Sequence, residues 1–303
     1  MTAQDDPRPE AEGRRVRHQD DRRPRATPQG DQGDDSRVVR VEVELPGTPE
    51  EVWDAIATGP GMECWFVPAE VDGREGGTIK TDHGPFGEST GTVTAWEPPH
   101  RFAYEERDWH PDRPDPPPWA TEILVEAGSG GTCVVRLASG LFSNAAGWQD
   151  EIDPTEDGWR QGLQNLRLYM THFRGLRCSS LFALSETEAS VDSAWEAVAG
   201  GLGLAGAEVG DTAATAAGAP SVRGVVERVE ERRIVLRTED PAPGLLELFA
   251  FDFKGPTLIF VRGYLYGDAG PEAVAREEPV WREWLAETLP GAEGGAERPL
   301  KAG

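Results

Sequence analysis

Lysine is almost missing from this chain. Of 30 basic residues only Lys80, Lys254 and Lys301 are lysines, so the other 27 are arginines. With 36 glycines and 25 prolines, this is the bias of a GC-rich genome, and a bacterial source is expected. Cysteine is scarce as well. Cys64, Cys133 and Cys178 stand far apart with no CxxC, which excludes a zinc knuckle or a disulfide framework and suggests a reduced, cytoplasmic setting. No run of about 18 apolar residues exists, so a membrane span is not expected. The opening MTAQDDPRPE lacks an apolar h-region, so no secretory signal is read there. Positive charge is in deficit: 54 acidic against 30 basic residues give −24. Residues 1–36 hold seven Arg and nine Asp or Glu, a net −2, which leaves −22 on the remaining 267 residues. A body of that sign repels polyanions, so nucleic acid is excluded as its partner, while a protein with a basic surface is not.

Catalytic signatures are missing too. The histidines (His18, His83, His100, His110, His172) form no HExxH pair, and no GxSxG, P-loop or GxGxxG stands at a strand–helix junction. Asp82-His83 and His110-Pro111-Asp112 read as loop residues in water, so no metal is expected, and no cofactor. The carboxylates of Asp150–Asp153 and Glu156-Asp157 read as favourable charge at the start of a helix. No catalytic residue is assigned, which tilts the reading away from an enzyme.

What is present is an ordered series of elements. Residues 1–36, rich in Pro, Gly, Asp and Arg without apolar periodicity, read as a disordered leader. Val39, Val41, Val43 and Leu45 then alternate with charged residues as in a half-buried strand. Thr48, Pro49 and Glu51 spell a helix N-cap, N1 proline and capping box. Val52, Trp53, Ile56 and Ala57 form that helix's stripe, and Gly59-Pro60-Gly61 stops it. Met62, Trp65 and Phe66 suggest a further helical turn. Strands follow at Thr78–Lys80, Gly91–Trp96, Arg101–Glu105, Thr121–Glu126 and Thr132–Ala138, with a hairpin turn at Gly128–Gly131 and a proline loop from Pro111 to Pro118. A long helix from about Glu156 to Phe173 closes the series, its face drawn from Trp159, Leu163, Leu166, Met170 and Phe173.

The second half repeats this order in trimmed form. Leu181–Leu184 stands for the first strand and Val191–Ala199 for the helix at Pro49–Ala57. Gly224–Glu230 matches Gly91–Glu97, and Glu278–Arg282, matching Glu156–Arg160, opens a last helix. Residues 206–220 look mobile. Phe249, Phe251 and Phe253 alternate on one strand of a hairpin. That aromatic face either docks on the first copy or grips its own helix through Trp281, Trp284 and Leu285; the second is favoured.

Several short motifs carry a family resemblance. They are the opening strand with Pro49-Glu50-Glu51-Val52-Trp53-Asp54-Ala55-Ile56, then Cys64-Trp65-Phe66 and Glu75-Gly76-Gly77. Further matches are the run from Trp96 to Tyr104 and Gly158-Trp159-Arg160-Gln161-Gly162-Leu163-Gln164-Asn165-Leu166. On these, the first half resembles the SRPBCC (START-like, Bet v 1-like) superfamily, in its activator of Hsp90 ATPase homologue-like branch. The resemblance implies an α+β fold of two helix-grip modules, each a curved antiparallel sheet around a long C-terminal helix, with a cavity between. The modules are expected at 37–176 and, diverged and trimmed, at 177–290, with a disordered tail over 291–303. The co-chaperone's separate Hsp90-contacting domain has no counterpart in this sequence, so Hsp90 activation is not expected.

The aromatic residues carry the remaining signal. Trp53 and Trp159 read as core. Trp65, Phe86, Trp109 and Trp148 lie in short segments beside Gly and Pro, where a packed core demands them less. With Phe66, Trp96, Arg101 and Tyr104 they are the expected lining of an apolar pocket, Arg101, Tyr104 and Arg136 supplying polar groups. The expected function is non-enzymatic binding of a small hydrophobic ligand in the first module. The alternatives are an acidic protein-interaction module and, more weakly, a cyclase- or hydrolase-type enzyme, which would need a buried polar group with a displaced pKa.

Overall fold

The first strand forms where the alternation places it, as β1 (Val38–Pro46). Helix α1 (Pro49–Ala57) opens on the expected capping box: the Glu51 amide donates to Thr48 Oγ1 at 3.3 Å, and the Thr48 amide donates to Glu51 Oε2 at 2.8 Å. Gly59-Pro60-Gly61 does end that helix, yet the same residues start a further turn, α2 (Gly59–Met62), capped by Thr58. The glycines are needed for contact: a Cβ on Gly59 would meet the Ala69 carbonyl at 2.2 Å, and one on Gly61 the Asp54 carbonyl at 2.0 Å. The computed structural model describes residues 38–107, 109, 116–141, 152–252 and 255–289. The expected leader and tail, most of the proline loop, Trp148 and Phe253 lie outside the described residues.

Strands β2 (Ala69–Val71), β3 (Thr78–Asp82), β4 (Glu88–Glu97), β5 (Arg101–Glu106), β6 (Trp119–Ala127) and β7 (Thr132–Leu141) follow. They form one antiparallel sheet in the order β1-β7-β6-β5-β4-β3-β2. Helix α3 (Ile152–His172) starts four residues before the expected position and buries Trp159, Leu163, Leu166 and Met170 against the sheet's apolar face. The second half supplies β8 (Cys178–Thr187), α4 (Val191–Gly201), β9 (Thr212–Ala214), β10 (Arg223–Glu230), β11 (Arg233–Asp240), β12 (Gly244–Asp252), β13 (Thr257–Tyr266) and α5 (Gly270–Thr288). Its sheet runs β8-β13-β12-β11-β10-β9. The first strand again pairs with the last, and the rest follow backwards, so the second copy keeps the first copy's topology with one strand fewer. The fold class is α+β, with two helix-grip sheets.

Two expectations are corrected. Glu278–Arg282 does not open the last helix: α5 begins at Gly270, with Pro271 in its first turn and Pro279 inside it. Ala273, Glu277, Trp281 and Leu285, spaced by four, are buried on one face and carry the helix through the missing Pro279 N–H. Nor do the phenylalanines of β12 grip their own helix. Leu246, Leu248 and Ala250 form a core with Val198, Trp281 and Leu285, while Phe249 and Phe251 stand on the other face with Phe260.

That other face is turned toward the first copy, so α3 lies between the two sheets. Its residues at helical spacing meet the second sheet in turn. Asp157 pairs with Arg233 at 3.2 Å, the Gln161 amide donates to Glu230 at 2.9 Å, and the Asn165 amide donates to Glu247 at 3.3 Å. The Tyr169 and Tyr266 rings are 5.5 Å apart. The Tyr266 and Tyr264 hydroxyls donate to the Cys64 and Phe66 carbonyls at 2.7 and 3.0 Å, fastening the segment after α2.

Candidate functional site

Strand register gives the layout of the first sheet's gripped face. Near α1 it is apolar: Phe102, Ile123, Leu137 and Val41 stand side by side, with Val125, Val135 and Val43 in the next row. Toward the other end the residue type changes. Tyr104, Thr121 and Ser139 form one row and Glu106, Trp119 and Leu141 the next. Tyr104, Thr121 and Ser139 are all buried. Buried polar groups need partners, and here they find one another. The Trp119 indole donates to Ser139 Oγ at 2.9 Å, and Ser139 shares a 2.8 Å bond with Thr121 Oγ1. The Ser89 hydroxyl donates a short hydrogen bond to Glu106.

The electrostatics favour uncharged forms. Burial holds the Glu106 carboxyl above the ordinary carboxylate value, with the Ser89 bond working against it. Burial, then the nearby Glu106, raises the Tyr104 phenol. His83, just past the end of β3, is pushed down to about 4 by burial and by Arg262, against the pull of Asp82. Its Nε2 lies 3.0 Å from Thr81 Oγ1. Phe66 stands between this imidazole and α3, stacked on Trp159 at 4.8 Å and edge-on to His83 at 5.9 Å. The result is an apolar grip with a buried carboxyl, a phenol and hydroxyls at one end. That set can donate and accept hydrogen bonds to a ligand's carbonyl or hydroxyl group. Among the described residues no cluster of three or more His, Cys, Asp or Glu could hold a metal, and no helix is long and apolar enough to cross a membrane.

The residues expected to line the pocket are dispersed. Tyr104 lies within the polar end, and Phe66 flanks His83. Trp109 packs edge-on against Trp119 at 5.0 Å. Trp65 is buried, its indole donating to the Ala55 carbonyl at 3.0 Å, which makes it part of the α1–α3 packing. Trp96 packs on Trp53 at 5.0 Å and on Phe102 at 5.6 Å. Arg101 pairs with Glu122 and Glu97 on the solvent side, and Arg136 pairs there with Glu42 and Glu126. Phe86 is 46% exposed and stacks on Phe260 of the second sheet. Trp148 lies outside the described residues. Glu106, Thr121, Ser139 and Ser89 were not anticipated. Glu106 had a signal: Phe102, Tyr104 and Glu106 alternate along β5, so period two puts the acid on the buried face. An open depression of about 370 Å³ on β2 and β3, lined by Glu70, Val71, Asp72, Thr78 and Lys80, includes none of these groups.

Residues 46–171 match the family model described as Activator of Hsp90 ATPase homolog 1-like protein. No curated protein sequence matches the chain. Among solved structures it is similar to DynU16, a protein in the dynemicin biosynthetic locus, at 14% identity over 83% of this chain and 96% of that one, TM-score 0.40. It is also similar to BexL, a di-domain ARO/CYC from the BE-7585A biosynthetic pathway, at 15% identity over 83% and 93%, TM-score 0.39. Protein MLL2253 from Mesorhizobium loti is 20% identical over 45% of this chain and 98% of its own, TM-score 0.41.

Proposed function

We propose that the first module, whose residues 46–171 match the Activator of Hsp90 ATPase homolog 1-like family model, binds a small hydrophobic ligand in its grip and orients it by hydrogen bonds. The observation that supports this is the polar end of an otherwise apolar gripped face. Glu106, Tyr104, Thr121 and Ser139 are drawn from neighbouring strands to one end, and burial raises both the Glu106 carboxyl and the Tyr104 phenol. An apolar ligand with one carbonyl or hydroxyl group suits that gradient. The second copy's gripped face also buries hydroxyls at one end, Ser185, Thr187 and Thr257, but the rest of its core is built from Leu236, Leu246, Leu248, Ile259, Val261, Trp281 and Leu285. It serves as a structural companion.

A thermal-shift screen of the full chain against fatty acids, sterols and polyketides tests the reading. A stabilising ligand is expected, and Ser139→Leu, which fills the polar end, is expected to abolish its effect. No stabilisation by any apolar ligand would refute it. The raised Glu106 carboxyl also supports a second reading, acid–base chemistry on the bound ligand, because burial moves this carboxyl upward in the direction a general acid requires. Turnover of a ligand found in that screen, lost in Glu106→Gln while binding persists, distinguishes the two.

A further inference from the structure

The seam between the two sheets contains a cation, Arg262, that forms no close ion pair among the described residues and shares the field of the Glu247 carboxylate with Arg233 and Arg228. On the second sheet's face toward the first copy, Leu184, Phe260, Phe249 and Arg233 stand side by side on β8, β13, β12 and β11. The adjacent row is Phe182, Arg262 and Glu247. Glu247 is directly opposite Arg262 but is engaged elsewhere. Its carboxylate bonds Arg233, accepts from the Asn165 amide at 3.3 Å, and lies 3.7 Å from Arg228. Among the described residues Arg262 takes part in no close ion pair, although the Glu247 carboxylate attracts it from the facing strand. Its contacts are the Tyr264 hydroxyl and the Phe249 ring, whose centroid is 5.9 Å away. An arginine withdrawn from water cannot shed its proton, so it normally recruits a carboxylate.

Beside this cation lies an aromatic ladder without a helix over it. Phe249 and Phe251 stack on Phe260 at 4.7 and 5.2 Å, with interplanar angles of 4° and 6°. Phe182 meets Phe260 edge-on, and Phe86 reaches over from the first copy to stack on it at 5.8 Å. Phe182, Leu184 and Phe251 remain partly accessible.

We propose that this seam is a separate binding site for an apolar monocarboxylate, its carboxylate paired with Arg262 and its hydrocarbon body laid over the accessible edge of the ladder at Phe182, Leu184, Phe251 and Phe86. The charge complement selects the class. Three guanidinium groups, Arg228, Arg233 and Arg262, converge on the one Glu247 carboxylate, and that carboxylate close behind Arg262 suits a monoanion and repels a dianion. The planar fork of Arg262 fits a carboxylate bidentately. The site is independent of the grip of the first module, because none of its residues lies on that face.

Isothermal titration of the full chain with 2-naphthoate and laurate, against 2-naphthalenemethanol and dodecanol, tests it. At least one carboxylate is expected to bind, and the pair tells whether the ladder prefers a planar or an extended body. Its neutral counterpart, and the carboxylate in Arg262→Gln, are expected to bind about tenfold more weakly or worse. Leu184→Glu adds a like charge at the accessible rim without touching Arg262, is expected to weaken the carboxylate alone, and decides the matter if Arg262→Gln does not fold. Ser139→Leu reports the first module's grip and is expected to leave this binding unchanged. The proposal is overturned if neither carboxylate binds, if the alcohols bind as tightly, or if the seam variants change nothing. Loss of binding in Ser139→Leu with retention in the seam variants also overturns it, since the ligand then sits in the grip.

Discussion

Acidification should destabilise this protein through the imidazole of His83, and the size of the effect follows from its surroundings. Unfolded, His83 takes a proton near its ordinary value of 6.5; folded, burial and the Arg262 guanidinium delay protonation until about pH 4. Between those values the unfolded chain binds the extra proton, so stability must fall as pH falls. The contribution is whole above pH 6.5 and is lost as the pH drops through about 4. The gap from 6.5 to about 4, at about 1.36 kcal/mol per unit, is worth about 3 kcal/mol. Carboxylates titrate over the same acid range, so the effect must be isolated by difference. His83→Gln removes the titration and retains a group able to hydrogen-bond the Thr81 hydroxyl. Urea unfolding of both proteins at constant ionic strength from pH 7.5 to 4.5 gives the two stabilities. The wild type is expected to lose about 2 to 3 kcal/mol relative to the variant across that range. Arg262→Gln, which removes the second cause, should shrink the loss. A difference curve flat to within about 0.5 kcal/mol, the usual error of such comparisons, would refute the burial of His83 beside Arg262.

Glu106 should behave with the opposite sign. Its folded carboxyl is raised by burial, so its contribution is whole below the unfolded value of 4.5 and is lost as pH rises through the folded one. Glu106→Gln is therefore expected to raise the melting temperature at pH 8 and leave it unchanged at pH 4, read by calorimetry at both. Ser139→Ala leaves the Trp119 N–H without its acceptor and should cost about 1–3 kcal/mol in urea unfolding. Trp119→Phe in that background should recover part of the loss, and strictly additive costs would place solvent in the polar end. Glu247→Gln strips Arg233 and Arg228 of a buried carboxylate and is expected to cost about 3–5 kcal/mol, whereas Glu122→Gln, which breaks the Arg101 pair at the surface, should cost under about 1 kcal/mol. Equal costs for the two would contradict the burial of the seam.

The sequence makes the local elements legible because each is written in nearby residues. The capping box at Thr48, the alternation from Val39 to Leu45 and the spacing of Trp159, Leu163, Leu166 and Met170 all appear in the structure as read. The doubled topology is legible for the same reason: each copy repeats its own local signals in order. The candidate site was not. Trp65 and Phe86 stand out in sequence as large residues in short segments, yet Trp65 packs the core and Phe86 joins the second sheet. The polar end depends on which strands are neighbours. Thr121 and Ser139 acquire meaning only when register sets them side by side next to Tyr104. Small hydroxyls on strands look like solvent-facing residues until pairing shows which face they share.

The same limit explains the reversal of the β12 phenylalanines, and it connects the two copies physically. A sheet buried on one face alternates polar and apolar residues, whereas one buried on both reads as a continuous apolar run. Residues Gly244 to Ala250 are buried without interruption, so β12 is a strand with no solvent side. Within that run Glu247 is the single charged residue, and it stands where α3 presents Asn165 and where Arg233 and Arg228 converge. A buried carboxylate is a poor source of stability but a strict one of register, since sliding α3 by one turn along the second sheet would leave it unpaired. The polar row of α3 (Asp157, Gln161, Asn165) is thus the counterpart of the charged row on the second sheet. The helix that closes the first module's grip is held from outside by the second copy. Any ligand in that grip therefore binds against a helix whose position is set by both halves of the chain, which is a physical reason for the trimmed copy to keep its sheet while its own gripped face is filled with aliphatic side chains.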